Sequence, residues 1–167
     1  MIPFVVQATP ATQQLGAWTI GARATYQDAI NAYGKPSACL PRKPRQAFAT
    51  AVWRTEGFRL KITSLGYIPP GKTFCTDPRH VYVDTAIATG RRWHTTRGLR
   101  IGDSAAKLHR LYPHARRFWQ GWGVVQVYSH CGAGICQGEM HWVPRLAAVL
   151  RNGRVASFVF PVGAEGA

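Results

Sequence analysis

The sequence predicts an α+β protein: a tandem of two units, each a helical segment packed on an antiparallel β-sheet. Three observations carry this. Two short helix signals lie far apart, Thr25 to Tyr33 and Ser104 to Tyr112, each with an oxygen-bearing cap and a firm stop. Each is followed by runs with the alternation of half-buried strands. The element order after the first helix repeats after the second. The unit boundaries read as 1–16 for a disordered arm or leader remnant, 17–97 for the first repeat and 98–167 for the second.

The first sixteen residues are polar, carry Pro, Thr and Gln, and show no periodicity. In the first helix Thr25 caps the free amides of the first turn and Asp28 completes a capping box. Tyr26, Ala29, Ile30 and Tyr33 form the i, i+3, i+4, i+7 stripe. Gly34 then Pro36 ends it, because a left-handed C′ residue and a proline cannot continue a helix. A basic turn at Pro41–Arg45 leads to a strand from Phe48 to Arg54, with Glu56-Gly57 turning the chain. Phe58, Leu60 and Ile62 alternate with Arg59, Lys61 and Thr63, so one face is buried and the other wet. Val81 to Ala88 reads as a third strand and Trp93 to Arg97 as a fourth or a connection.

In the second unit Ser104 or Asp103 caps a helix whose stripe is Leu108, Leu111 and Tyr112, stopped by Pro113. Val124 to Tyr128 is a strand. Leu146 to Leu150 turns through Asn152-Gly153 into Val155 to Phe160, and Asn-Gly between two such runs is a strong hairpin signal. Thr25 and Ser104 match in type and role, as do Tyr33 and Tyr112. Pairing the turns at Gly57 and Gly153 places extra length between helix and hairpin of the second unit.

Four cysteines permit three pairings. Proximity favours Cys131–Cys136 across Gly132, Ala133, Gly134 and Ile135, which leaves Cys39–Cys75. The competing set, zinc on Cys131, Cys136, His130 and His141, has a spacing at the long edge for zinc. Two disulfides imply an oxidising, secreted or cell-envelope location. No apolar run reaches the length of a membrane span.

The 167 residues hold 21 Lys+Arg against 7 Asp+Glu, a net charge of +14. Seven acids leave little for carboxylate catalysis or a hard-cation cage. Such a surface attracts anionic cell-envelope polymers non-specifically. The cysteines, which argue for export, and the lack of a nucleic-acid module argue against specific nucleic-acid recognition.

The phrase Gly98-Leu99-Arg100-Ile101-Gly102-Asp103-Ser104 with the helix ending Arg110-Leu111-Tyr112-Pro113 resembles secreted actinobacterial proteins of the β-lactamase-inhibitory-protein fold. The cap, helix and Gly34-Lys35-Pro36 stop also resemble the repeat of the outer-membrane assembly lipoprotein family SmpA/OmlA. The resemblance implies a helical segment on an antiparallel sheet in each unit, and binding of another protein through sheet faces. None of the inhibitor's partner-contacting residues carries over to this chain.

The function expected is therefore non-enzymatic: an exported domain engaging a macromolecule through a sheet face, with no cofactor and no metal. Its candidate contacts are Arg59 and Lys61 on the open face, Trp119 and Trp122 as apolar anchors, and the Gly132–Ile135 loop. Arg91, Arg92 and Trp93 are next in line. Trp18 and Trp53 are the expected core tryptophans. The alternative is a small secreted hydrolase using His80, beside Asp77, or His130.

Overall fold

The computed structural model describes residues 3–64, 66–132 and 135–163; for 131, 132 and 135–137 the backbone alone is described. The chain is mostly β, with two short helices and two sheets, and is α+β in the broad sense. It begins with β1 (Val5–Ala8), β2 (Gln13–Leu15) and β3 (Trp18–Ile20), followed by α1 (Tyr26–Tyr33). Four strands follow: β4 (Ala38–Leu40), β5 (Ala49–Trp53), β6 (Phe58–Thr63) and β7 (Tyr82–Ala88). Then come β8 (His94–Thr95) and α2 (Ala105–Leu111). Four more strands complete the described chain: β9 (Arg116–Phe118), β10 (Gly121–Gly132), β11 (Ile135–Arg151) and β12 (Arg154–Pro161).

The larger sheet has eight antiparallel strands in the order β4-β5-β6-β7-β12-β11-β10-β9. The four strands after α1 fill one half and the four after α2 the other, with last strand against last strand at the centre. The sequence reading gave each of the two units a sheet of its own within one compact body; β7 and β12 pair through Thr85–Ala88 and Phe158–Pro161, so the two sets of strands share one sheet. Pairing them removes two edges whose amides and carbonyls would otherwise stay open.

Both helices begin as the sequence predicts. Thr25 accepts from the Asp28 amide while the Asp28 carboxylate accepts from the Thr25 amide, a full capping box. Ser104 accepts from the Lys107 amide. Gly34 ends α1 at φ 77°, a left-handed backbone that favours glycine. The shoulder ahead of each helix is tied to the last strand of its set in the same way. Val83 N donates to Ala24 O at 2.9 Å and Val155 N to Asp103 O at 2.8 Å. Tyr26 N donates to Val81 O at 2.8 Å and Ala105 N to Gly153 O at 2.9 Å.

The turns do not correspond as the sequence reading had them. Gly57 joins the second and third strands of its set, whereas Asn152-Gly153 joins the third and fourth. The extra length of the second half lies in the β10–β11 hairpin itself.

The opening residues are a second correction. Read as a disordered arm up to residue 16, they form β1 and β2 of a four-stranded mixed sheet in the order β3-β2-β1-β8. Val6 and Leu15 are fully buried. Gln13, 2% exposed, spends its amide on the Arg145 and Pro161 carbonyls, so a polar side chain is buried with its donors satisfied. β8 pairs in parallel with β1 and is not a strand of the large sheet.

One face of the large sheet carries the core. The cross-strand row Trp53–Phe58–Ala88–Phe158–Ala148–Trp122 lies on it. All of that row but the half-buried Trp122 are buried, and they join Tyr26 and Ala29 of α1, Leu108 of α2, and Val6, Leu15 and Trp18 of the small sheet in one cluster. Trp53 stacks on Phe58 at 4.8 Å, and Tyr33 meets Phe58 at 4.8 Å.

Tyr33 yields a pH prediction. Burial pushes its phenol up from 10.0 to about 12, with the Glu56 charge adding to the shift. Its hydroxyl donates to the Leu15 carbonyl at 2.7 Å, a bond the phenolate cannot make. The folded state therefore holds a proton that the unfolded chain has released, so stability falls as the pH rises from about 10 to about 12. Urea midpoints across that range should drop, and Tyr33→Phe should flatten the drop. An unchanged slope in Tyr33→Phe would refute this origin.

Candidate functional surface

The next row in register, Val52–Arg59–Ile87–Val159–Ala147–Gly123–Arg116, lies on the opposite face of the large sheet. None of its members belongs to the core cluster. Both helices and the small sheet pack on the first face; on the second, Ile87, Val159 and Ala147 are buried although they lie outside the core cluster. Arg59 and Lys61 stand on it as the alternation predicts: Phe58, Leu60 and Ile62 are at most 2% exposed, while Lys61 is exposed and Arg59 half-buried.

At the β9–β11 end the same face carries aromatics. The Arg116 guanidinium lies 4.5 Å over the Trp142 ring, and Tyr128 meets Trp142 at 5.4 Å. Trp119, in the turn between β9 and β10, is 90% exposed. Phe118, Trp119, Gln120, His141, Trp142 and Pro144 border a groove of about 280 Å³. Glycine makes this corner: a Cβ on Gly123 would come within 2.6 Å of the Phe118 ring, and one on Gly121, at φ 134°, within 2.6 Å of the Ala148 carbonyl oxygen. The chain thus folds Phe118 down across β10 and leaves Trp119 standing clear.

The remaining expected contacts separate. Trp122 is half-buried on the helix-covered face, edge-on to His109 of α2 at 4.5 Å, and is no anchor for the open face. Trp93 is fully buried: its ring meets Phe4 and Phe58, and its indole N–H donates to Glu56 O at 2.8 Å. It belongs to the core, because β8 joins the small sheet and turns the indole inward. Arg92 is pinned over the Phe4 ring at 4.0 Å and donates to Thr55 O, and Arg91 is exposed. Ala133 and Gly134 lie outside the described residues, as do the side chains of Gly132 and Ile135 and the proposed Cys131–Cys136 bond. The backbone sets Cys131 directly opposite Cys136 in the β10–β11 ladder.

Cys39 and Cys75 are disulfide-bonded, tying β4 to the segment ahead of β7. Asp77 and His80 meet at 2.9 Å, but the His80 ring is 74% exposed in an i, i+3 turn contact. His130 is exposed on the β10–β11 hairpin. Among the described residues no group of three or more His, Cys, Asp or Glu could hold a metal ion, and no helix is long and apolar enough to cross a membrane.

Sequence reasoning missed Tyr128, Met140 and Trp142, which are 54%, 49% and 41% exposed. A signal for them exists: residues 121–144 contain no Lys or Arg at all, in a chain with 21. Comparison with protein-family models, with curated proteins and with solved structures finds no match to this chain.

Proposed function

We propose that this is an exported, non-enzymatic binding domain that engages a macromolecular partner through the open face of its eight-stranded sheet. The observation that carries the reading is the aromatic end of that face: Trp119, Tyr128 and Trp142 exposed beside Arg116. Large aromatics held clear of the core and flanked by Arg are the side chains that dominate macromolecular interfaces. Arg59 and Lys61 extend the surface with positive charge. The Cys39–Cys75 bond supports export, since reducing compartments keep thiols free.

The finer architecture belongs to the same proposal. The matched shoulder bonds at Ala24/Val83 and Asp103/Val155, and the mirrored strand order, support a tandem of two related helix-plus-sheet units. That is the arrangement expected from the resemblance to the β-lactamase-inhibitory-protein fold. The fold analogy names no partner.

A photo-crosslinking phenylalanine analogue in place of Trp119 tests the reading in the native setting. One discrete adduct is expected, absent when the same probe replaces the exposed Lys35. Identical adduct patterns at both positions would overturn it.

A second reading, non-specific attraction to anionic envelope polymers, is favoured by arithmetic: 7 acids cannot neutralise 21 cations. On that reading heparin, teichoic acid and DNA bind with similar affinity, and binding collapses as salt rises past physiological strength. Binding that survives molar salt, or a preference for a base sequence, would refute it.

A further inference from the structure

A cleft opens where β1, the end of α2 and β10 meet. It holds about 340 Å³, within the range of small-molecule sites. Ala8 of β1, Ala115 of the α2–β9 connection, and Val124 and Val125 of β10 line it, all half-buried. Val6 and Leu146 of the core cluster also border it and are 0% and 1% exposed. Two of its walls are tied together: the Gln126 amide on β10 donates to His114 O in the α2–β9 connection at 2.9 Å.

Arg97 stands at the exposed rim of this cleft. Its Nη1 donates to the Leu111 carbonyl at 2.8 Å, and its guanidinium lies 5.2 Å over the Tyr112 ring. The group is thus held in place before any ligand arrives, which lowers the ordering cost of binding. Its Nε–Nη2 edge makes no hydrogen bond to the described residues, and Arg97 has no ion-pair partner among them. That edge carries two parallel N–H donors, the geometry that takes a carboxylate bidentately. No residue lining the cleft is acidic.

We infer that this cleft binds a small monocarboxylate with an apolar body, its carboxylate on the outer edge of Arg97 and its body over Ala8, Ala115, Val124 and Val125. Each part of the site selects that ligand. The half-buried alanine and valine side chains gain from exchanging water for aliphatic or aromatic carbon. Arg97 is the only Lys or Arg in the lining, so it matches a single negative charge. A phosphate, carrying nearly two charges at neutral pH, would be left partly uncompensated. The volume lies near the lower end of the small-molecule range, which calls for a small body. Val6, Tyr112 and Leu146 place the cleft on the helix-covered side of the large sheet, so this inference stands or falls separately from the function proposed above.

Nuclear magnetic resonance titration of the full chain with octanoate and with 3-phenylpropionate tests it. Saturable shifts are expected at the backbone amides of 96, 97, 114, 115 and 124–126. The dissociation constant should be about 0.1–1 mM, modest for ligands of roughly ten heavy atoms. Octanamide has the same body and no charge, and should bind about tenfold more weakly or worse. Acetate has the charge and no body, and should not saturate. Arg97→Gln should bring octanoate down to the octanamide level and leave octanamide where it was. Should that change disturb the end of α2, the comparison of octanoate with octanamide on the unaltered protein decides. No saturable shift with either acid, shifts spread over the basic surface instead of the cleft, or equal binding of octanoate and octanamide would each overturn the inference.

Discussion

Trp53→Ala is expected to lower the unfolding free energy by about 3–5 kcal/mol, the range for emptying a large aromatic site in a core. The indole is 1% exposed and its ring stacks on Phe58, directly opposite in the β5–β6 ladder. Tyr26 of α1 meets it edge-on at 6.2 Å, and the indole N–H donates to the Gly34 carbonyl at 3.0 Å. Truncation therefore opens a void between helix and sheet and also removes the donor at the end of α1. Phenylalanine at the same position keeps much of the volume and loses the donor, so Trp53→Phe should fall well short of the alanine loss. Urea unfolding of both variants measures the difference. A loss under about 1 kcal/mol for alanine would mean the site collapses around the gap, contrary to close packing.

Cys39→Ala should cost about 3–4 kcal/mol, because the bond closes a loop spanning a separation of 36 residues and so restricts the unfolded chain. The loop contains the β5–β6 hairpin and the long connection towards β7, which carries Pro69-Pro70-Gly71 and has no strand among its described residues. Cys39 also packs partly against the core, so the loss is not purely entropic. Reductant should lower the thermal midpoint of the parent protein and leave Cys39→Ala/Cys75→Ala nearly unmoved by this bond. Peptide mapping without reduction should link Cys39 to Cys75, and Cys131 to Cys136, whose backbones face each other across the ladder. A parent protein indifferent to reductant would refute the stabilising role of Cys39–Cys75.

What the sequence made legible were features with a short physical range. Thr25 and Ser104 announce their helices because a side-chain oxygen satisfies an amide three residues on. β6 announces its faces because alternation survives a regular ladder. The small sheet left no such trace. Its strands are three or four residues or fewer, and Gln13 is buried because carbonyls of Arg145 and Pro161, far along the chain, receive its amide. No local pattern encodes that.

The tryptophans show the same limit at the candidate surface. Trp93 and Trp119 both follow Arg-rich stretches, yet one is fully buried and the other 90% exposed. The difference lies in what the adjacent strand does: β8, just after Trp93, joins the small sheet, while β9, just before Trp119, turns straight back as β10. Tyr128 and Trp142 escaped notice because register shifts near Val125, Gln126 and Cys131 break the alternation of β10 and β11. Their strands are long and their faces change, so a period-two search loses them.

The central seam between β7 and β12 has a consequence for how the chain is made. Synthesis delivers the N-terminus first, so β4–β7 and their helix can assemble while the rest of the chain is still arriving. During that interval β7 ends at a bare edge, with Ala86 and Ala88 awaiting Phe160 and Phe158. The missing neighbour is the last strand described, so the first half must wait until residues 154–161 have been made. A nascent chain stalled before Arg154 carries a sheet open at its middle, the kind of edge on which neighbouring chains aggregate. The lysines and arginines of the first half give such half-made molecules a common positive sign, and mutual repulsion holds them apart until the seam closes.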